Sequence, residues 1–255
     1  MNKRMCGFYG MIENIDDNMG KLMKQLESWK MEENTLLIFM TDNGSTAGFL
    51  VMKEKEQQKF FFNAGMKGFK NSHREGATRV PAFWRWKNKL KADVEVETLT
   101  AHIDILPTLA KLAGAEIPSK QVEGRDLMPL LKNPKVEWDD RYVFTHVGRW
   151  KRFTDPELAK FKQCAVRNER FRFENNRQLF DLQADPGQKI NVVEDYPEVV
   201  EKMQKAYDKW WAETVPLMVN EKAEFDGPHP YIDAYNKQKS SGGIPKWVRP
   251  TLTEK

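Results

Sequence analysis

The stretch Thr35-Leu-Leu-Ile-Phe-Met-Thr-Asp-Asn-Gly44 decides how this chain of 255 residues is interpreted. Its first part is a continuous apolar run, which is typical of a strand buried on both faces of a parallel sheet. Asp42 and Asn43 follow that strand directly, and ligands of open α/β sheets lie beyond the carboxyl ends of the strands. Their carboxylate and amide oxygens suit a hard cation such as Ca²⁺ or Mg²⁺. Because Asp-Asn-Gly is also a common turn sequence, these residues alone do not define a metal site.

The elements around this strand predict an α/β domain over residues 1–140. Residues 9–29 carry apolar side chains at helical spacing and therefore predict an amphipathic helix. A second helix is predicted over residues 104–113, where Gly114 provides the stop signal. Residues 45–78 show no sustained period and predict a long loop, and such loops in compact domains are usually functional.

The following part of the chain predicts a small antiparallel subdomain over residues 141–225. Alternating patterns predict strands at residues 142–147, 163–173 and 178–182, with a turn near Asn175 and Asn176. A helix that begins at Pro197 is predicted to pack on this sheet. From residue 226 to residue 255, Pro, Gly, Ser and Lys predict an extended tail.

Charge and hydropathy limit the classes of partner. The net charge is only +4, but residues 151–189 interleave arginines with phenylalanines. This stretch is either a strand with a solvated basic face or a patch that binds an anionic polymer. No nucleic-acid-binding motif accompanies it, so no nucleic acid is predicted as a partner.

No apolar run is long enough for a membrane span. Residues 1–10 do not resemble a signal peptide, so the localisation stays open.

A second motif follows the strand-end residues and supports a functional role for them. It is Gly65-Met-Lys-Gly-Phe-Lys-Asn-Ser-His-Arg-Glu-Gly-Ala-Thr-Arg-Val-Pro81. Sulfatases typically have Ser/Thr-Asp-Asn-Gly after a buried strand and, further on, Lys-Gly-x-x-x-Glu-Gly-Gly-x-Arg-x-Pro. The chain resembles this family at Lys70, Glu75, Gly76, Arg79 and Pro81. Residues 9–16, 102–109 and 179–191 are similar to other family segments, so the resemblance extends over residues 9–215. It implies the C-terminal part of an alkaline-phosphatase-like parallel-sheet sandwich, plus a small antiparallel β subdomain with a packed helix.

The resemblance implies roles for several candidate residues. Asp42 and Asn43 would be ligands of a divalent metal, Ca²⁺ or alternatively Mg²⁺. Lys70 would be catalytic, because its ammonium can offset charge on the leaving ester oxygen. From their positions, Lys67 and His73 in the same loop could help to bind an anionic substrate or could be surface residues, and His146, which follows a strand, could reach the substrate. Glu75 and Arg79 would brace the loop through charged hydrogen bonds.

Two departures from the family pattern concern the loop backbone. Asn71 and Ala77 stand where the pattern has glycines. If either position needs a positive φ, Asn tolerates it better than Ala does.

The resemblance implies hydrolysis of a sulfate monoester, on sulfated carbohydrate or aryl sulfate. Its nucleophile, a formylglycine made from Cys/Ser-x-Pro-x-Arg, has no counterpart in these 255 residues and is expected in an N-terminal sulfatase half. The chain therefore looks incomplete, and its partners would be a sulfated small molecule or polysaccharide and that N-terminal half. Two alternatives stay open: a phosphatase or phosphodiesterase of the same superfamily, and a non-catalytic fragment or subunit that complements a chain carrying the nucleophile.

Overall fold

The computed structural model describes residues 3–45, 63–117, 122–148, 150, 154–218 and 230–243. The chain forms two compact units, residues 1–215 and residues 216–255. The first unit contains the predicted α/β elements, the four-stranded sheet and most of the long helix that packs on that sheet. No helix in the described ranges is both long and apolar enough to cross a membrane.

The first elements include the two predicted helices and the predicted strand, but this strand is shorter than expected and pairs antiparallel instead of within a parallel sheet, and a one-turn helix lies inside the predicted loop. They are α1 (Lys3–Ser28), β1 (Leu37–Met40), a one-turn helix α2 (Glu75–Thr78), β2 (Ala82–Arg85), α3 (Ile105–Ala113) and α4 (Met128–Lys132). Strand β1 pairs with β2 in the antiparallel sense, with Leu37 opposite Arg85. The residues of β1 are half-buried, because within the described ranges β2 is its one hydrogen-bonded neighbour and a two-stranded ribbon cannot cover both faces.

Helix α3 ends as predicted. The residue directly before it, Asp104, connects the helix to residues 125 and 141 through hydrogen bonds. Gly114 adopts a φ of 66° just after the helix, as a left-handed C-terminal residue does. Asp104, fully buried, accepts hydrogen bonds from the backbone of Ala101 and Arg125. Both of its oxygens also receive the Arg141 guanidinium at 2.7 and 2.5 Å. This bidentate pair links α3 to the chain that enters the second sheet.

The second sheet is antiparallel in the order β3-β4-β5-β6. Its strands are β3 (Val143–His146), β4 (Cys164–Arg167), β5 (Phe171–Glu174) and β6 (Gln178–Asp181). The single strand predicted over residues 163–173 is two strands, because the Asn168 side chain accepts hydrogen bonds from the backbone of Phe171 and Arg170 and turns the chain. The predicted turn after β5 is confirmed, with positive φ at both Asn175 and Asn176.

The main core lies between this sheet and helix α5 (Pro197–Met218). Met203, Tyr207 and Trp211 on the helix are each at most 1% exposed. They contact one face of the sheet, which consists of Cys164, Val166, Phe171, Phe173 and Leu179. The helix begins at Pro197, the position that the sequence predicts.

The predicted extended tail contains a helix, α6 (Pro230–Ser240). Asp233 lies in its first turn and Lys237 and Lys239 in its last turn, so the charges complement the helix dipole. The prediction of a wholly extended tail is therefore wrong for residues 230–240, while residues 226–229 and 244–255 lie outside the described residues.

Candidate functional site

The strand-end turn Asp42-Asn43-Gly44 contacts the lysine loop, here residues 63–74, and the short helix α2 that follows it. The backbone N–H of Gly44 donates to Ala77 O at 2.9 Å, and that of Lys70 donates to Ser45 O at 3.1 Å. A Cβ atom on Gly44 would lie 1.9 Å from Gly76 O, so this approach requires glycine. The structure therefore brings together the two motifs that the sequence places far apart.

Asp42 and Asn43 present oxygen atoms beside this contact. Asp42 is exposed, and Asn43 is half-buried. The Asn43 amide nitrogen donates to Gly44 O at 2.9 Å, which leaves Oδ1 as the atom that Asn43 offers to a cation. The described residues contain no group of three His, Cys, Asp or Glu side chains that could hold a metal. Ca²⁺ takes about six to eight oxygen ligands, so the carboxylate of Asp42 and the amide oxygen of Asn43 could supply only part of such a set.

Hydrogen bonds within the lysine loop fix its backbone. The Asn63 side-chain amide donates to Met66 O and Gly68 O, both at 3.0 Å. Asn71 has a φ of 68°, whereas Ala77 lies inside helix α2. Asn71 therefore occupies the position that needs a positive φ, and Ala77 fits without strain. Lys70, directly before Asn71, is exposed.

Helix α2 and the lysine loop are anchored on the second sheet through a buried carboxylate. Glu75 is 2% exposed and receives Arg172 Nη1 at 2.8 Å and Arg167 Nε at 3.2 Å. The Arg172 guanidinium also donates to His73 O. The bracing contact predicted for Glu75 is therefore present, while Arg79 is exposed and donates its backbone N–H to Glu75 O.

His73 belongs to the same buried network. Its Nε2 lies 3.6 Å from Glu174 Oε2 and 3.2 Å from the Asn175 amide nitrogen. Gln188 donates to the other Glu174 oxygen at 2.9 Å. Burial raises the pKa of the Glu174 carboxyl, but the nearby His73 side chain and the charge of Arg172 outweigh burial and lower the pKa to about 2. His73 is only 7% exposed, so its predicted contact with substrate stays a prediction.

The remaining two candidates also have contacts within the chain. Lys67 places its Nζ 4.6 Å from the centre of the Phe180 ring on β6, a cation–π contact. His146 on β3 accepts from Gly148 N–H at Nδ1 and has Nε2 3.1 Å from Ala159 O, so Nε2 carries the proton. Burial lowers the pKa of His146, the hydrogen bond to Ala159 O opposes this, and the charge of His73 lowers it further. Their predicted contacts with substrate remain predictions.

The sequence interpretation missed the sheet residues that anchor the loop. Arg172 was expected either on a solvated basic strand face or in an anion-binding patch, and Glu174 was given no role, but each is 1% exposed. They lie two residues apart and therefore on one face of β5, 3.3 Å from each other. The signal for a buried ion pair was the alternation Phe171-Arg172-Phe173-Glu174, which places two opposite charges on one strand face and two phenylalanines on the other.

Comparison with known proteins places this geometry in a family. Residues 4–115 match the family model described as Sulfatase. Residues 69–212, more than half of the chain, match the one described as N-sulphoglucosamine sulphohydrolase, C-terminal. The chain belongs to the sulfatase family. The strand-end turn lies within the first match, and the lysine loop from Phe69 onward lies within both.

Relatives of this sulfatase chain include human steryl-sulfatase, which is 34% identical over 150 residues, 58% of this chain and 25% of that protein. Another is N-acetylgalactosamine-6-O-sulfatase of Bacteroides thetaiotaomicron, 27% identical over 213 residues, 76% of this chain and 40% of that protein. The chain thus spans between about a quarter and two fifths of the length of these relatives.

Solved structures show the same fold. The crystal structure of Ps i-CgsB in complex with k-i-k-neocarrahexaose is similar with a TM-score of 0.67 and 25% identity, over 95% of this chain and 49% of that one. A sulfatase from Pseudoalteromonas sp., PsFucS1, has a TM-score of 0.60 over 79% of this chain and 41% of that one. At 20% identity, the second comparison shows the fold alone. The predicted fold class, an α/β sulfatase fold with a small antiparallel subdomain and a packed helix, is confirmed, whereas the parallel pairing predicted for the α/β part is not seen in its described strand pair, which is antiparallel.

Proposed function

We propose that this chain supplies the metal-binding turn and the catalytic lysine of a sulfatase that hydrolyses sulfate monoesters. The observation that supports this most directly is the contact of the strand-end turn and the following Ser45 with helix α2 and the lysine loop, through Gly44 N–H to Ala77 O and Lys70 N–H to Ser45 O. The contact holds two candidate metal ligands and an exposed lysine on neighbouring backbone segments of a chain in the sulfatase family.

Lys70 would act on the ester oxygen that leaves. Breaking an S–O bond transfers negative charge to that oxygen, and a positioned ammonium stabilises this charge more in the transition state than in the ground state. The same group can donate a hydrogen bond to the sulfate. The backbone of Lys70 is fixed by its hydrogen bond to Ser45 O and by the left-handed conformation of Asn71, so only the side chain of Lys70 is free to move.

Asp42 and Asn43 would contribute part of the ligand set of a divalent cation, Ca²⁺ or alternatively Mg²⁺. When bound, the cation would neutralise charge on the sulfate as a Lewis acid. The two residues offer a carboxylate and an amide oxygen, which are hard ligands. Further ligands and the formylglycine nucleophile would come from an N-terminal sulfatase half, since no Cys/Ser-x-Pro-x-Arg sequence occurs in these 255 residues.

Exposed apolar surface supports a partner region of this kind. Helix α1 exposes Met11, Ile12 and Ile15 by 48–60%, and helix α3 exposes Leu106 by 56%. Clustered exposed apolar side chains, such as those on helix α1, are typical of an interaction site. We infer that the rest of a sulfatase fold, within one polypeptide or as a partner chain, packs on these helices.

The proposed substrate class is sulfated carbohydrate, with aryl sulfates as convenient probes. Two similarities support it: the relative named N-acetylgalactosamine-6-O-sulfatase and the neocarrahexaose complex of the structural relative at 25% identity. The phosphatase alternative has no support among these relatives, whose names are those of sulfatases.

The test is hydrolysis of an aryl sulfate, with Ca²⁺ present, by the chain mixed with the N-terminal half of a homologous sulfatase. Lys70→Ala should lower kcat by about 10²–10³-fold, the effect of removing one stabilising donor. Lys91→Ala removes another exposed lysine and should leave kcat unchanged. Equal activity of the two variants would refute the role of Lys70. A correctly folded mixture without any activity would favour the non-catalytic alternative.

A further inference from the structure

An open groove lies on the antiparallel subdomain, between the turn before β4 and the turn after β5. Residues 160–163 and 175–178 line it, and its volume is about 970 Å³. This volume is at the upper end of small-molecule sites, so the groove can hold more than one sugar ring. None of its lining residues belongs to the strand-end turn or the lysine loop.

The groove carries positive charge that the described part of the chain does not neutralise. Most arginines of this basic stretch are paired: Arg167 and Arg172 with Glu75, and Arg170 with Asp181. By contrast, Lys162 and Arg177 are exposed and have no ion-pair partner among the residues that the structure describes. They come from the two opposite turns, so both sides of the groove present a cation to an anionic ligand.

The rest of the lining suits a ligand with many hydroxyl groups. Four of the lining residues carry side-chain amides, which both donate and accept hydrogen bonds: Gln163, Asn175, Asn176 and Gln178. The Oδ1 atom of Asn176 is buried and has no hydrogen-bond partner within the described ranges. The half-buried Phe161 adds an aromatic ring to the same lining. Cations, amides and an aromatic ring together match a sulfated sugar chain.

Four residues that line the groove have the left-handed backbone conformation, with positive φ. Phe161, Gln163, Asn175 and Asn176 all have φ between 51° and 61°. A bulky residue such as Phe161 rarely adopts this conformation, which persists where the surroundings enforce it and is common at functional sites. Here Tyr207 accepts a hydrogen bond from Phe161 N–H at 3.3 Å and contacts its ring at 5.0 Å between centres. The groove is therefore largely preformed.

Asn175 connects the groove to the lysine loop, because its side-chain amide nitrogen lies 3.2 Å from His73 Nε2. We propose that the groove binds a sulfated segment of a carbohydrate chain, at sugar units other than the one whose ester is cleaved. This inference rests on the proposed function, since it assumes that the substrate is a sulfated carbohydrate. Lys162 and Arg177 hold the sulfate groups. The amides of Gln163, Asn176 and Gln178 bind hydroxyl groups, because the Asn175 amide already contacts Cys164 N–H and His73.

The test is a calorimetric titration of the 255-residue chain with a carrageenan-type sulfated hexasaccharide and with the desulfated form of the same sugar. The variant Lys162→Ala/Arg177→Ala should bind the sulfated sugar at least 10-fold more weakly than the wild type. The matched control Lys202→Ala/Lys209→Ala removes two exposed lysines from helix α5 and should bind like the wild type. Circular dichroism melting curves of both variants check that the fold is unchanged, and Arg177→Glu provides an independent variant that should bind more weakly still.

Three results would overturn the proposal: no binding of the sulfated hexasaccharide to the wild type, equal losses in the groove variant and in its control, or equal binding of the desulfated sugar. A single-stranded oligonucleotide of similar charge is the competitor. Binding of the oligonucleotide as tight as that of the sugar, with the same loss in the groove variant, would assign the groove to nucleic acid instead. The titration involves no turnover, so its result is independent of the hydrolysis test of Lys70.

Discussion

Gly44 and Gly76 allow two backbone segments to touch at the candidate site. A Cβ on Gly44 would lie 1.9 Å from Gly76 O, and one on Gly76 would lie 2.5 Å from Gly68 O. The neighbours at these distances are backbone atoms, which cannot move aside as a flexible side chain can. At the scale of single residues, the site therefore depends on glycines as much as on the charged groups that they position.

Gly44→Ala should separate the strand-end turn from helix α2 and lower the free energy of unfolding by about 1–3 kcal/mol, as overpacking does. Gly20→Ala is the matched control, because nothing lies within 4 Å of its added Cβ and the residue is in helix α1. That control should stabilise the chain by about 0.5–1 kcal/mol. Urea unfolding measures both, and equal stability of the two variants would mean that the turn and the helix do not touch.

Glu174 should make stability depend on acid pH. Its pKa falls from 4.5 to about 2 in the folded chain, because His73, Arg172 and Gln188 outweigh the opposing effect of burial. A carboxyl with a lowered pKa contributes stability above its unfolded value and loses this contribution as pH falls through the folded one. Between pH 5 and pH 2 the loss from this group should be about 3 kcal/mol.

The measurement is the free energy of unfolding in urea at several values of pH between 6 and 3. Glu174→Gln should be less stable at pH 6 and should lose less stability on acidification than the wild type does. Glu213→Gln removes an exposed carboxylate and should follow the wild-type profile. Parallel profiles for Glu174→Gln and the wild type would contradict the assignment of the low pKa.

At the scale of elements, the four-stranded sheet has two differently used faces. One face packs Phe173 and Leu179 against helix α5. The other carries Arg172 and Glu174 and anchors the lysine loop. The sheet is therefore held rigid by the hydrophobic core on one face, and its other face fixes the position of the lysine loop, which has no hydrophobic core of its own.

The core side of the sheet can be tested with Trp211. This residue is 1% exposed, contacts His146 and Tyr207, and donates to Glu157 Oε1 at 2.6 Å. Trp211→Ala should lower the free energy of unfolding by about 3–5 kcal/mol, whereas Leu217→Ala, 70% exposed in the same helix, should change it little. Thermal or urea unfolding measures both variants. An unchanged free energy of unfolding for Trp211→Ala would show that α5 does not form this core.

The sequence predicts those elements whose signals are local. Helix α3 with its stop at Gly114, helix α5 from Pro197 and the turn at Asn175 and Asn176 all follow from spacing or turn chemistry. The break between β4 and β5 was missed, because the Asn168 side chain makes a turn in a stretch with alternating apolar residues.

In the candidate site, too, the features with a local sequence motif could be predicted, whereas those that depend on long-range contacts could not. The strand-end turn and the lysine loop each have a recognisable motif, so Asp42, Asn43 and Lys70 could be named from the sequence. The anchoring of the loop depends on Arg172 reaching Glu75 across 97 positions of sequence, and no local pattern specifies a contact of that range. The burial of His73 has the same long-range cause.

At the scale of the whole molecule, the chain matches 49% of the Ps i-CgsB chain and 25% of human steryl-sulfatase. Within this span lie a strand-end turn, a lysine loop and the subdomain that holds the loop in place. The activity that we propose requires groups from outside these 255 residues, so its tests use a protein in which the N-terminal half of a homologous sulfatase is present.

The central claim is that Asp42 and Asn43 bind the cation that the reaction needs, beside Lys70. The measurement is the Ca²⁺ dependence of aryl sulfate hydrolysis by the chain combined with that N-terminal half, for the wild type, Asp42→Ala and the exposed-carboxylate control Asp195→Ala. We predict that Asp42→Ala needs at least 10-fold more Ca²⁺ for half-maximal activity, while Asp195→Ala follows the wild-type curve. Identical Ca²⁺ curves for all three proteins would contradict the claim, because the strand-end turn would then not bind the metal.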